Sequence, residues 1–270
     1  MKTDLRLCRS LLFLPASNPR AIAKARGLAA DMVVLDLEDA VKPADKDSAR
    51  SAAVEAAAGG FRGLCAIRIN SREPWHEPDL AAVGSSRADY AIVPMTSGAE
   101  APRAAALATG KPVLAMIETA RGVLAAAAIA PETAGLIAGT NDLAADLGLR
   151  PGGGRAALAT ALQTILLAAR AAGVAAFDGV YNRLDDAEGF AAQCGEGKSF
   201  GFDGKSLIHP GQVDAANRIF GPSEDEVEAA RRLLAAATGG AERFEGEMIE
   251  RMHVEQARWV LARARVQGGE

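Results

Sequence analysis

The sequence predicts an α/β fold, a (β/α)8 TIM barrel with a C-terminal helical extension, on three observations. Short apolar runs alternate with helical patterns along nearly the whole chain. The runs are apolar throughout rather than at every second residue, as a parallel sheet covered on both faces requires. Eight of them precede Gly221, the number that closes a barrel. A doubly wound open sheet is the structural rival on pattern alone.

The expected strands are Ser10–Leu14, Met32–Leu37, Cys65–Ile69, Tyr90–Pro94, Val113–Ile117, Leu136–Ala138, Ala175–Asp178 and Lys205–Ile208. Helical patterns lie between them at Asn18–Ala29, Ser48–Ala58, Ala99–Thr109, Arg121–Ile129 and Gly154–Ala172. Gly221-Pro222 ends the alternation, dividing a barrel of residues 1–221 from a helical arm of residues 222–270. Ser223-Glu224-Asp225-Glu226 has the form of a capping box opening a helix. Gly239-Gly240 separates that helix from a last amphipathic one, Met248–Val266. The arm either caps the barrel or reaches a neighbouring subunit. Pro151-Gly152-Gly153-Gly154 is a low-complexity loop.

Composition excludes several partners. The chain of 270 residues carries a net charge of -4 and is only 4% aromatic. A nucleic-acid or acidic-membrane partner needs a basic face and stacking surfaces, and neither is expected. Cys8, Cys65 and Cys194 are odd in number, far apart and lack metal-ligand spacing, which reads as reduced, buried thiols. The run Leu11-Leu12-Phe13-Leu14 stops at Pro15, so no signal peptide is expected, and the Ala-rich stretches predict no membrane span. A cytoplasmic location follows as an expectation.

In such a barrel the active site sits at the C-terminal strand ends. Polar residues gather there: Asp36, Glu38 and Asp39; Arg68 and Asn70; Glu118; Asn141 and Asp142; Asp178; and Asp203 with His209 around strand eight. Glu118 and Asp142 follow consecutive strands, and neighbouring parallel strands lie about 4.8 Å apart. Two carboxylates with waters and a substrate oxygen are a usual setting for Mg²⁺. Asp142 can equally cap a helix beginning at Leu143, and Glu118 can be half of a buried ion pair. Arg68, flanked by Ile67 and Ile69, needs an anionic partner. That partner is the Asp36, Glu38 and Asp39 cluster, a substrate, or both. Arg20 and Lys24 follow Asn18 after strand one, where a helix N-terminus can receive a phosphate or simply present a solvated face. His76, His209 and His253 are not spaced as a metal cluster and read as structural or exposed.

Arg9-Ser10-Leu11-Leu12-Phe13-Leu14-Pro15, Val34-Leu35-Asp36-Leu37-Glu38-Asp39-Ala40-Val41, Ile67-Arg68-Ile69-Asn70, Ile117-Glu118-Thr119 with Arg121-Gly122-Val123, Gly139-Thr140-Asn141-Asp142-Leu143-Ala144, Asp178-Gly179-Val180-Tyr181, and Gly201-Phe202-Asp203-Gly204-Lys205 with Ile208-His209-Pro210 resemble the citrate lyase beta-subunit-like family. That family lies among the metal-dependent acid aldolases and the malyl-CoA and citramalyl-CoA lyases. The resemblance covers nearly the whole chain. It implies a Mg²⁺-dependent carbon–carbon lyase that cleaves or forms a malyl-, citramalyl- or citryl-type 3-hydroxyacyl-CoA thioester. The products are acetyl-CoA, or a related acyl-CoA, and a 2-keto acid.

It also implies a homotrimer, or a hexamer built from trimers. Glu118 and Asp142 would be metal ligands, with Asp36, Glu38 and Asp39 behind them. Arg68 would bind the substrate's keto or hydroxyl oxygen and act in catalysis, and Arg20 and Lys24 would lie near CoA phosphates. Gly246-Glu247-Met248-Ile249-Glu250 stands where relatives carry a Gly-x-Met-Ile-Asp motif whose carboxylate enters a neighbour's site, making Glu250 the candidate proton carrier. Two departures stand out: Glu250 adds a methylene where Asp is usual, and Asn141 removes a charge where many members have Glu. The competing readings are an aldolase acting on free hydroxy-keto acids without CoA, and a weakly active subunit of a larger lyase complex.

Overall fold

Eight parallel strands close into a barrel in chain order in the computed structural model, which describes residues 4–150, 154–237, 242–244 and 247–268. The first half runs β1 (Ser10–Pro15), α1 (Pro19–Ala25), β2 (Met32–Asp36), α2 (Lys46–Ala58), β3 (Leu64–Arg68), α3 (His76–Ser85), β4 (Tyr90–Val93) and α4 (Glu100–Thr109). The second half runs β5 (Val113–Ile117), α5 (Ala120–Ile129), β6 (Gly135–Ala138), α6 (Thr140–Asp146), α7 (Ala159–Ala172), β7 (Ala175–Asp178), α8 (Ala187–Phe200), β8 (Gly204–Leu207) and α9 (Val213–Phe220). β1 pairs with both β2 and β8, so the sheet has no edge and the open-sheet alternative is overturned. The expected strands match the observed ones to within a residue or two at their ends.

The continuous apolar runs have a geometric cause. Successive strand side chains point to opposite faces, and here both faces are covered. Leu11, Met32, Val34, Ile92, Leu114 and Phe177 fill the barrel interior, while Leu12, Val33, Leu35, Ile67 and Leu136 pack outward under the helices. Each fully buried Leu, Ile or Phe contributes about 1.5–3 kcal/mol. Leu5, from a 3-10 turn at Leu5–Leu7, and Cys8 join the inner cluster at the N-terminal end.

The same alternation corrects the polar strand-end reading at two positions. Asp178 is fully buried but faces the helices, where it takes Lys205 Nζ at 2.8 Å and Arg155 at 2.6 Å. Asp203 precedes β8 at the opposite end of the barrel and is held by Arg170 and by the Ala176 N–H. Neither reaches the mouth; both tie the barrel to its helical layer.

The tail begins as expected. Ser223 and Glu226 form the reciprocal capping box of α10 (Glu224–Ala236). The expected helix Met248–Val266 is corrected at its start. Residues 247–249 form β10 (Glu247–Ile249), antiparallel to β9 (Glu242–Phe244), and α11 (Arg251–Gly268) follows. Burial alternates there, with Ile249 buried between exposed Met248 and Glu250, the period of a strand rather than a helix. Gly239-Gly240, Gly246 and Pro151–Gly153 lie outside the described residues. The far end of α11 docks on the floor of the barrel, where Arg263 donates to the Arg6 carbonyl at 3.1 Å.

Candidate active site

A cavity of about 420 Å³ opens at the C-terminal strand ends, lined by Asp36, Arg68, Glu118, Asn141 and Asp142 among others. A smaller one of about 280 Å³ adjoins it, and Asp39, Glu118 and Asp142 line both. The topology explains this convergence: Asp36 and Arg68 are register partners across β2 and β3. Glu118 follows β5, and Asp142 sits in the first turn of α6, directly after the neighbouring strand β6.

Arg68 is fixed before any ligand arrives. Its Nε and one terminal nitrogen donate to the two Asp36 oxygens at 2.7 and 2.6 Å. Its other terminal nitrogen meets Glu38 at 3.1 Å, Asp39 at 3.7 Å and the Met116 sulfur at 3.7 Å, and the guanidinium lies over the Phe13 ring. The structural pair left open by the sequence is therefore present. Asp36 also accepts from the Glu38 and Ala40 N–H groups, which ties the arginine to the loop after β2. Burial opposes the charge of Arg68, but Asp36 holds its pKa above the ordinary value. Glu38 is pushed up to about 8 by burial, with Arg68 pulling the other way without offsetting it.

Glu118 is neither exposed nor ion-paired among the described residues. Its Oε1 accepts from the Met95 N–H at 2.5 Å. Its pKa is pushed up to about 7, first by burial and further by the nearby Asp142 charge. Gly139 packs directly on it, and a Cβ there would collide with Glu118 Cβ and Oε2. Asp142 is exposed and makes no cap, because α6 begins at Thr140 with Gly139 as its N-cap. The capping alternative is overturned. Among the described residues no three His, Cys, Asp or Glu side chains form a metal cage. A two-carboxylate, all-oxygen set with one uncompensated buried charge nevertheless suits a hard divalent cation that keeps waters and substrate oxygens as its other ligands.

Asn141 and Asn182 close the rim of the mouth through reciprocal amide hydrogen bonds of 2.7 and 3.3 Å. Arg20, Lys24 and Glu250 line neither of these two cavities. Arg20 and Lys24 are exposed on α1, whose first turn is already capped by Asn18 Oδ1. Glu250 is exposed just before α11, where its N–H donates to His253 Nδ1. All three histidines make local bonds: His76 to the Asn70 carbonyl, His209 as a turn cap, and His253 as stated. The three cysteines are free and buried.

Two residues were missed. Lys46 is buried and donates to the Leu37 and Glu38 carbonyls and to Asn70, bracing the loop after β2. Met95 has φ of 51°, uncommon for a residue with a side chain, and this conformation turns its N–H toward Glu118. No sequence signal marks either, since Lys at a helix start reads as solvated and Met carries no turn preference.

The chain matches the HpcH/HpaI aldolase/citrate lyase family over residues 9–210. It is 43% identical over 269 residues to the (3S)-malyl-CoA thioesterase of Cereibacter sphaeroides, covering 95% of this chain and 94% of that protein. It is 36% identical over 275 residues to a citrate lyase subunit beta-like protein of Deinococcus radiodurans, covering 95% and 97%. Among solved structures it resembles CitE of Mycobacterium tuberculosis in complex with magnesium, acetoacetate and coenzyme A. The TM-score is 0.81 at 35% identity, with 96% of this chain and 99% of that one covered.

Proposed function

Since the chain belongs to the HpcH/HpaI aldolase/citrate lyase family, a family of lyases, we propose that it is a Mg²⁺-dependent lyase for a malyl-type 3-hydroxyacyl-CoA thioester. The observation that carries this reading is the meeting of Glu118, Asp142 and Arg68 in one cavity at the strand ends. It is supported by the magnesium and coenzyme A bound in the similar CitE structure. Glu118 and Asp142 would hold the metal.

When bound, magnesium supplies Lewis acidity to the carboxylate and hydroxyl oxygens of the substrate. Arg68 presents a fixed positive charge to the same oxygens, and its double bond to Asp36 keeps the guanidinium plane from turning away. In the cleavage direction the hydroxyl proton passes to solvent water, the hydroxyl-bearing carbon becomes the keto carbon of the 2-keto acid, and its bond to the carbon α to the thioester breaks. The electron pair passes to that carbon as an enolate, which then takes a proton. Glu250 of a second copy is the candidate donor, because within its own chain it is exposed and lines neither cavity. A homotrimer or hexamer is part of this reading. So are Arg20 and Lys24 as contacts for CoA phosphates, and a cytoplasmic location, which suits three free buried thiols.

A second reading is hydrolysis of the same thioester, favoured by the 43% identity to a malyl-CoA thioesterase. Water would attack the thioester carbon, the C–S bond would break, and free CoA would leave. Incubation with malyl-CoA and Mg²⁺, followed by mass spectrometry, separates the two. Glyoxylate with acetyl-CoA supports the lyase, malate with free CoA supports hydrolysis, and neither product overturns both. EDTA should abolish either reaction.

A further inference from the structure

A cavity of about 440 Å³ lies at the N-terminal end of the barrel, opposite the mouth, between the barrel floor and α11. Its wall carries Arg6, Arg170, Lys198 and Arg263 against two carboxylates, Asp203 and Glu226. Most of these charges are already matched. Arg170 takes both Asp203 oxygens at 2.9 and 3.0 Å, Lys198 meets Glu226 at 3.3 Å, and Arg6 turns to Asp4 at 2.9 Å.

Arg263 differs from the others. Its side chain is only 10% exposed, and its nearest carboxylate oxygen, Asp203 Oδ1, is 3.9 Å away and already bonded to Arg170. Its terminal nitrogens donate to the backbone carbonyls of Arg6 and Asp203, and its Nε makes no hydrogen bond among the described residues. Trp259 lies under both Arg6 and Arg263, with ring centroids 4.8 and 5.9 Å from the guanidinium carbons, and holds the two cations at one wall. Burial lowers the pKa of Arg263, the sign of a cation short of compensation. A buried guanidinium held by carbonyl dipoles and by one long contact to a carboxylate that Arg170 already binds calls for a further anion, and its planar fork suits carboxylate or phosphate oxygens.

We propose that this cavity binds a small dianion, of the dicarboxylate or phosphate class, against Arg263 and Lys198. The volume falls in the ordinary range for small-molecule pockets, about 300–1,000 Å³. The mouth is the opposite case, since Asp36, Asp39, Glu118 and Asp142 face a single Arg68 there. Without a divalent cation a dianion prefers the lower cavity. Occupation ties α11 to the barrel floor, and because Glu250 directly precedes that helix, it also steadies the arm that carries Glu250.

The test is thermal unfolding of the full chain in EDTA, with malate or inorganic phosphate added and sodium chloride at matched ionic strength as control. At a hundredfold excess over Kd, Tm should rise by about 5 °C. A rise with either dianion supports the site, and a response to only one identifies which class it takes. The rise should vanish in Arg263→Met and in Lys198→Gln, the second a part-exposed position that spares the fold, and should persist in Asp142→Ala. No rise beyond chloride overturns the proposal. So does a rise that survives in Lys198→Gln, or one lost in Asp142→Ala.

Discussion

Arg68 and Asp36 meet side-on at the inner wall of the barrel, joined by hydrogen bonds of 2.7 and 2.6 Å across register-paired positions of β3 and β2. The pair sets the plane of the guanidinium and anchors the loop that carries Glu38 and Asp39. A residue that would meet the substrate is thus also part of the frame. Arg68→Ala should therefore cost stability as well as activity, about 3–5 kcal/mol, because it leaves Asp36 buried without its partner. Arg68→Lys keeps the charge and loses the fork. It should unfold closer to wild type in a denaturant titration while kcat/KM falls roughly a hundredfold.

Asp142→Ala should leave the fold untouched. The side chain is exposed and caps nothing, so stability should change by no more than about 0.5 kcal/mol. The rise in Tm on adding Mg²⁺ should disappear together with turnover. A Mg²⁺ response equal to wild type would remove Asp142 from the metal site.

Gly139→Ala tests the placement of Glu118. The added methyl collides with Glu118 Cβ and Oε2, so the carboxylate must move. A displacement of about 1 Å is enough to lower the rate roughly a hundredfold. Mg²⁺ affinity measured by calorimetry should weaken in the same variant, while the circular dichroism spectrum stays that of a folded barrel.

The metal-free protein should lose stability as pH rises through neutrality. Glu118 and Glu38 have pKa values of about 7 and about 8 against an ordinary 4.5, so the fold prefers them protonated. Their contribution is fully present below the ordinary value and is lost as pH climbs through 7 to 8. Tm in EDTA should fall between pH 5.5 and 8.5. Magnesium should restore it at the upper end and do little at the lower, where it competes with protons.

Glu250→Ala should fold normally and turn over poorly. If Glu250 serves a neighbouring copy, mixing this variant with Asp142→Ala should regain activity, since some sites in a mixed assembly would then hold both groups. Mixtures as inactive as either parent would remove the shared-site reading.

Much of this molecule was legible in its sequence for a local reason. A strand covered on both faces must be apolar at consecutive positions, so β1 to β8 announced themselves to within a residue or two. The Ser223 and Glu226 capping box rests on a spacing of three residues and was equally readable. Partnership across the sheet was not. That Arg68 closes on Asp36, that Asp178 turns outward to Lys205 and Arg155, and that Asp203 lies at the far end all depend on strand parity and register. Residues 247–249 misled for a related reason, since a strand this short shows its period of two only when its partner is known.

By itself, then, the chain determined an alternation of strands and helices with its carboxylates and arginine at strand ends, because apolar periodicity and loop polarity are properties of neighbouring residues; closure came from the pairing of β1 with β8. Only the tertiary structure decided which of those groups share a cavity, that the backbone of Met95 turns to meet Glu118, and that Arg263 is buried short of an anion beneath the barrel. Those outcomes are set by contacts between residues distant along the chain, where burial and geometry act together.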